Sequence, residues 1–141
     1  MLDNKEFTKV MVQASLECSH PLEEEGGVIL SRGDEYRFVK ITNTHKNTPT
    51  AVALYEADKQ ELGKCMFDLY KEGWLLFSSF HTHPQFAPFP SNLDLNTLFQ
   101  GFQHNVIYAP LYQEAFSYST WENGSSVVKK IINRQKINAT N

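Results

Sequence analysis

Between residues 4 and 19 the apolar side chains Phe7, Val10, Met11, Ala14 and Cys18 recur at intervals of three and four. That spacing predicts a helix with one apolar face. Asp3 followed by Glu6 has the form of a capping box at its start, and Pro21 ends it. The run Gly26-Gly27-Val28-Ile29-Leu30 predicts a short buried strand, and Ser31-Arg32-Gly33-Asp34 a turn. A second strand is predicted over 36–42, with Tyr36, Phe38 and Lys40 on one side and Val39 and Ile41 on the other. Asn43 to Pro49 reads as a polar loop and Ala51 to Tyr55 as a weaker third strand.

Leu62, Cys65, Met66, Leu69 and Tyr70 give the clearest helical stripe, over 59–72, with Asp58 as the N-cap and Gly73 just past its end. Trp74 to Phe80 is a nearly continuous apolar and small-residue run, the pattern of a strand covered on both faces, and it runs directly into His81-Thr82-His83. A proline-rich loop, 84–90, leads to a third predicted helix from Ser91 to about Phe102. Strands follow at Val106–Ala109 and Phe116–Trp121, and Asn123-Gly124 is a hairpin turn signal. Val127 to Ile137 fits strand or helix equally. Alternating strands and helices point to an α/β or α+β fold around one sheet.

Composition adds bounds. A chain of 141 residues has the length of one domain, 1–141, with no internal repeat or dividing linker. Its net charge of −3, from 13 Lys+Arg against 16 Asp+Glu, argues against a grip on nucleic-acid phosphates. No apolar run approaches the roughly 20 residues that span a bilayer, and the first residues lack the pattern of a secretory signal. A cytoplasmic protein without membrane attachment is the expectation. Two cysteines, Cys18 and Cys65, are too few for a disulfide framework or a four-thiolate zinc site, and both fall on predicted apolar helix faces.

The candidate chemistry lies in the histidines. At a strand end, His81 and His83 point to the same face, where two imidazoles can share one metal ion; ordinary partly buried histidines show the same spacing. Ser91 and Asp94 form a Ser-x-x-Asp helix start, which caps the helix and equally can bring Asp94 back as a third ligand. Two histidines and an aspartate leave a fourth position open, as catalytic zinc sites do. Glu23-Glu24-Glu25 is by itself a solvated charge run, yet it stands at the mouth of a buried strand, where a general base would be placed.

His81-Thr82-His83, seven residues, then Ser91-Asn92-Leu93-Asp94 resembles the signature of the JAMM/MPN metalloprotease family, and Pro84 fits its usual His-x-His-Pro. The family's upstream glutamate precedes a glycine by three positions at the opening of a strand. Glu24 has that place; Glu23 fits through Gly26, so the register stays open by one residue. The resemblance covers at least residues 1–110. It implies an MPN/JAB-type fold, a central, mostly antiparallel, curved sheet flanked by helices, similar to cytidine deaminases. It implies one Zn²⁺ held by His81, His83 and Asp94, Glu24 as general base, and Ser91 as a donor to the developing oxyanion. It further implies hydrolysis of the amide bond after the tail of a ubiquitin-like protein, with activating and conjugating enzymes as possible pathway partners. Two other readings use the same fold: a non-catalytic scaffold module, and a metal amidase acting on cell-wall or phage-tail peptides.

Overall fold

The computed structural model describes residues 5–45, 55–85, 104–119 and 127–133. Two helices and six strands follow in the order α1 (Lys5–Glu17), β1 (Gly26–Arg32), β2 (Glu35–Ile41), α2 (Lys59–Tyr70), β3 (Leu75–Thr82), β4 (His104–Ala109), β5 (Glu114–Ser119) and β6 (Val127–Asn133). The six strands form one sheet in the order β2-β1-β3-β4-β5-β6. β3 and β4 pair in parallel, and every other neighbouring pair is antiparallel. The fold is therefore mixed α+β with a mostly antiparallel sheet.

Several local expectations are corrected. β1 runs through Ser31 and Arg32, so the turn narrows to Gly33-Asp34, with Gly33 at φ 58°. Gly33 takes that left-handed conformation without a Cβ penalty. Tyr55 lies outside any strand; the described part of that segment is tied back by a single bridge, Asn43 to Ala57. The segment 127–133 is a strand, paired to β5. β3 is exposed at Leu75 and becomes fully buried only from Ser78 onward. Asp3, residues 51–54, Phe86, Phe89 and the helix expected at Ser91–Phe102 lie outside the described residues.

Among the described residues the core includes a cluster on each face of the sheet, with Ile107 and Phe116 forming a further buried pair. On one face Phe7, Val10, Met11 and Ala14 of α1 meet Ile29, Phe38, Phe80, Val106 and Tyr108. Opposite, Leu69 of α2 and Trp74 pack on Val28, Leu30 and Ile41. The period-two alternation of β2 thus divides as expected, Phe38 to the α1 side and Ile41 to the α2 side. Asp58 caps α2, its carboxylate accepting from the N–H groups of Gln60 and Glu61 at 3.0 Å each. The apolar stripe of α2 is shallower than predicted: Leu69 is buried, whereas Tyr70 is 68% exposed. Among the described residues no helix is long and apolar enough to cross a membrane.

Candidate metal centre

The end of β3 and the start of β1 are brought together by antiparallel pairing, with Gly26 opposite His81 and Gly27 opposite Phe80. Glycine is required at both positions by close approach. A Cβ on Gly26 would stand 2.2 Å from the Phe80 carbonyl oxygen and 2.8 Å from His81 Cβ. One on Gly27 would stand 2.0 Å from the Val39 carbonyl oxygen. The backbone of β1 therefore lies hard against the histidine strand, and the residues just before Gly26 are carried to the histidine side chains.

Glu24, His81 and His83 converge there. Their potential ligand atoms all lie within 4.8 Å of one another. All three side chains are buried, at 4%, 0% and 5% exposure respectively. Glu24 Oε1 stands 3.9 Å from His81 Nε2, longer than a hydrogen bond. A divalent cation could be held here by His81 and His83, with the Glu24 carboxylate close beside it. The donor set, two imidazole nitrogens and a carboxylate oxygen, suits such a cation. Burying three titratable groups together is costly unless they are compensated, and a bound cation is one compensation.

The backbone around the cluster is fixed by specific bonds. Thr82, between the two histidines, donates its N–H to the Glu25 carbonyl at 2.9 Å, and its hydroxyl accepts the Glu25 N–H at 3.1 Å. The His83 N–H donates to the Tyr108 carbonyl at 2.9 Å. Asn43 Nδ2 donates to the Glu24 carbonyl at 2.8 Å. Glu25 points the other way: one carboxylate oxygen accepts the His20 N–H at 2.8 Å, and the other meets Lys40 Nζ at 2.7 Å. Hydrogen bonding to Glu25 raises the Lys40 amine above its usual range. The three glutamates thus have three different fates. Glu23 is half exposed beside His20, Glu24 is buried with the histidines, and Glu25 anchors the loop. Of the two glutamates between which the sequence left the register open, Glu24 is the one that lies with His81 and His83.

Ser91 and Asp94 lie outside the described residues. Three further residues at the site carried no sequence signal that singled them out. Thr82 was only the spacer of the motif, and Asn43 sat in a loop. Tyr55 stacks on His81 with ring centroids 6.0 Å apart and 8° between planes. Its hydroxyl donates to the Ile41 carbonyl at 2.8 Å, and burial holds it far above the usual phenol range, so it stays protonated. Its place at the end of Ala51 to Tyr55 suggested only a weaker strand.

A model of the prokaryotic homologs of the JAB domain matches residues 6–123. The chain belongs to this family. Among solved structures, the JAB-domain chain is similar to the solution structure of a protein from Desulfitobacterium hafniense, with 22% identity, TM-score 0.63, and 86% of this chain and 84% of that one covered. It is also similar to a Salinibacter ruber protein, with 18% identity, TM-score 0.58, and coverage of 88% and 87%. A JAB1/MPN domain protein from Archaeoglobus fulgidus matches at 16% identity and TM-score 0.46, over 93% of this chain and 87% of that one. At these identities the first two likenesses show a shared fold. No curated protein matches the chain. The JAB-domain assignment agrees with the resemblance drawn from the His-x-His and Ser-x-x-Asp spacing.

Proposed function

We propose that this JAB-domain chain is a zinc-dependent peptidase or isopeptidase, cleaving the amide bond that follows the C-terminal tail of a ubiquitin-like protein. The observation that carries this reading is the buried Glu24–His81–His83 group at the mouth of the β1–β3 pair. His81 and His83 would hold the metal, and Asp94, by the motif, would be the third ligand. When bound, zinc supplies a Lewis acid that polarises a carbonyl and brings the pKa of water down to about 7. Glu24 accepts a proton at a carboxylate oxygen and returns it to the departing amine. The hydroxyl of Ser91 donates to the oxygen on which negative charge develops.

A thiol nucleophile is not part of this scheme. Burial pushes the Cys18 thiol up to about 12, and a protonated, enclosed thiol does not attack a carbonyl. A scaffold function makes no use of a buried carboxylate facing two imidazoles, which supports the enzyme reading. The cytoplasm, and activating and conjugating enzymes of the same conjugation system, are the setting we propose for it.

The test compares wild type, Glu24→Gln and Glu23→Gln on ubiquitin-like proteins extended at the C-terminus or joined to a lysine. Loss of a general base is expected to slow Glu24→Gln by about 10²–10⁴-fold, with Glu23→Gln near wild type. Activity retained in Glu24→Gln but lost in Glu23→Gln would move the base by one residue. Fusions left intact by a zinc-loaded wild type that cuts peptidoglycan peptides would overturn the substrate class.

A further inference from the structure

A short strap crosses the α2 side of the sheet beside the metal centre. It consists of residues 42–45 and 55–58, bound by Thr44 N–H to the Glu56 carbonyl at 2.8 Å and Asp58 N–H to the Thr42 carbonyl at 2.9 Å. Its two ends meet different members of the cluster. Asn43 donates to the Glu24 carbonyl at 2.8 Å, while its Oδ1 accepts the N–H groups of His45 and Glu56 at 2.9 Å each. The residue next to Glu56 is Tyr55, whose ring lies flat against His81.

We infer that Tyr55 is a positioning residue for the metal, setting the plane of the His81 imidazole by stacking, while the same strap braces Glu24 through Asn43. The inference rests on the metal reading above. A histidine ligand must present one nitrogen within a few tenths of an ångström of its ideal place, and groups around the ring ordinarily fix its orientation. Here the phenol ring, 8° from parallel, resists rotation of the imidazole about its Cβ–Cγ bond. The His81 imidazole is also met edge-on by His83, 5.2 Å between centroids and 62° between planes. The phenol is itself anchored, because Tyr55 is 0% exposed and its hydroxyl is bonded to Ile41 of β2. An aliphatic side chain of similar size would fill this volume but would present no flat face to the imidazole.

Zinc affinity measured by chelator competition on the folded full chain separates positioning from packing. The chains compared are wild type, Tyr55→Leu, Tyr55→Met, Tyr55→Phe and His81→Ala, with circular dichroism as the check on folding. Methionine adapts to irregular core space, so it provides a second non-planar variant should the leucine chain fail to fold. Tyr55→Leu and Tyr55→Met are expected to bind zinc about 10–100-fold more weakly, while Tyr55→Phe, which keeps the flat ring, stays within about threefold. A purely structural role would lower the melting temperature of the metal-free chain and leave zinc affinity unmoved. A folded non-planar variant that binds within about threefold of wild type would overturn the positioning role alone. Wild type binding no tighter than His81→Ala would overturn the metal reading itself.

Discussion

Gly26 shows how a residue without a side chain can govern a site. The space a Cβ would need is taken by the Phe80 carbonyl and by His81. Gly26→Ala is therefore expected to push β1 away from the histidine strand, cost about 1–3 kcal/mol of stability and weaken metal binding. Urea denaturation and a zinc titration check both effects. Gly63 is its opposite, since it lies in α2 with open space around it. Gly63→Ala is expected to stabilise the chain by about 0.5–1 kcal/mol in the same denaturation experiment, through helix propensity alone. The sequence made His81 and His83 legible because a strand repeats every two residues. It could not choose between Glu23 and Glu24, since that choice depends on which carboxylate the loop tucks inward. Tyr55, Asn43 and Thr82 were invisible because their roles arise from contacts across the fold; Thr82 and Glu25 are 57 positions apart.

At the scale of elements, the strongest periodic signals were reliable and the weak ones were settled by tertiary pairing. α1, β2 and α2 fell where their apolar periods placed them. Val127 to Asn133 fitted two periods, and its partnership with β5 made it a strand. No local pattern announced that β3 and β4 run parallel. Parallel neighbours need a crossover of a dozen or more residues, and the stretch between β3 and β4 contains Ser91 and Asp94. For α2, Asp58→Ala removes the acceptor of two backbone N–H groups and is expected to cost about 1 kcal/mol in denaturant unfolding. For the end of α1, burial pushes the Cys18 thiol from 9.0 to about 12. Between those values the unfolded chain has released a proton that the folded chain keeps, so stability falls as pH rises. The contribution is complete below pH 9. The Lys40–Glu25 contact acts in the same direction, because its stabilisation is lost once the raised lysine deprotonates. Cys18→Ala is expected to flatten this alkaline decline, measured as unfolding free energy against pH from 8 to 11. Native Cys18 should also resist alkylation that modifies it in urea.

For the whole molecule, the sheet is a device for bringing distant segments to one end. The start of β1, the end of β3 and the end of β4 meet there, and Glu24, His81 and His83 are its product. The fold class and the family were readable from the chain, because alternating elements and a fixed motif leave local traces. The pairing of residues 42–45 with 55–58 beside the cluster was not, because it depends on contacts across the fold. A bound ion favours the folded state according to its affinity, and free zinc at 100 times the dissociation constant would add about 2.7 kcal/mol. Zinc should therefore raise the melting temperature of wild type, and chelation should reverse the shift. The most direct measurement is the zinc content per chain of wild type, His81→Ala and His83→Ala after equilibration with limiting free zinc. One zinc per wild-type chain, with each histidine variant depleted, is the result the buried cluster predicts. Equal zinc content in all three chains would contradict it.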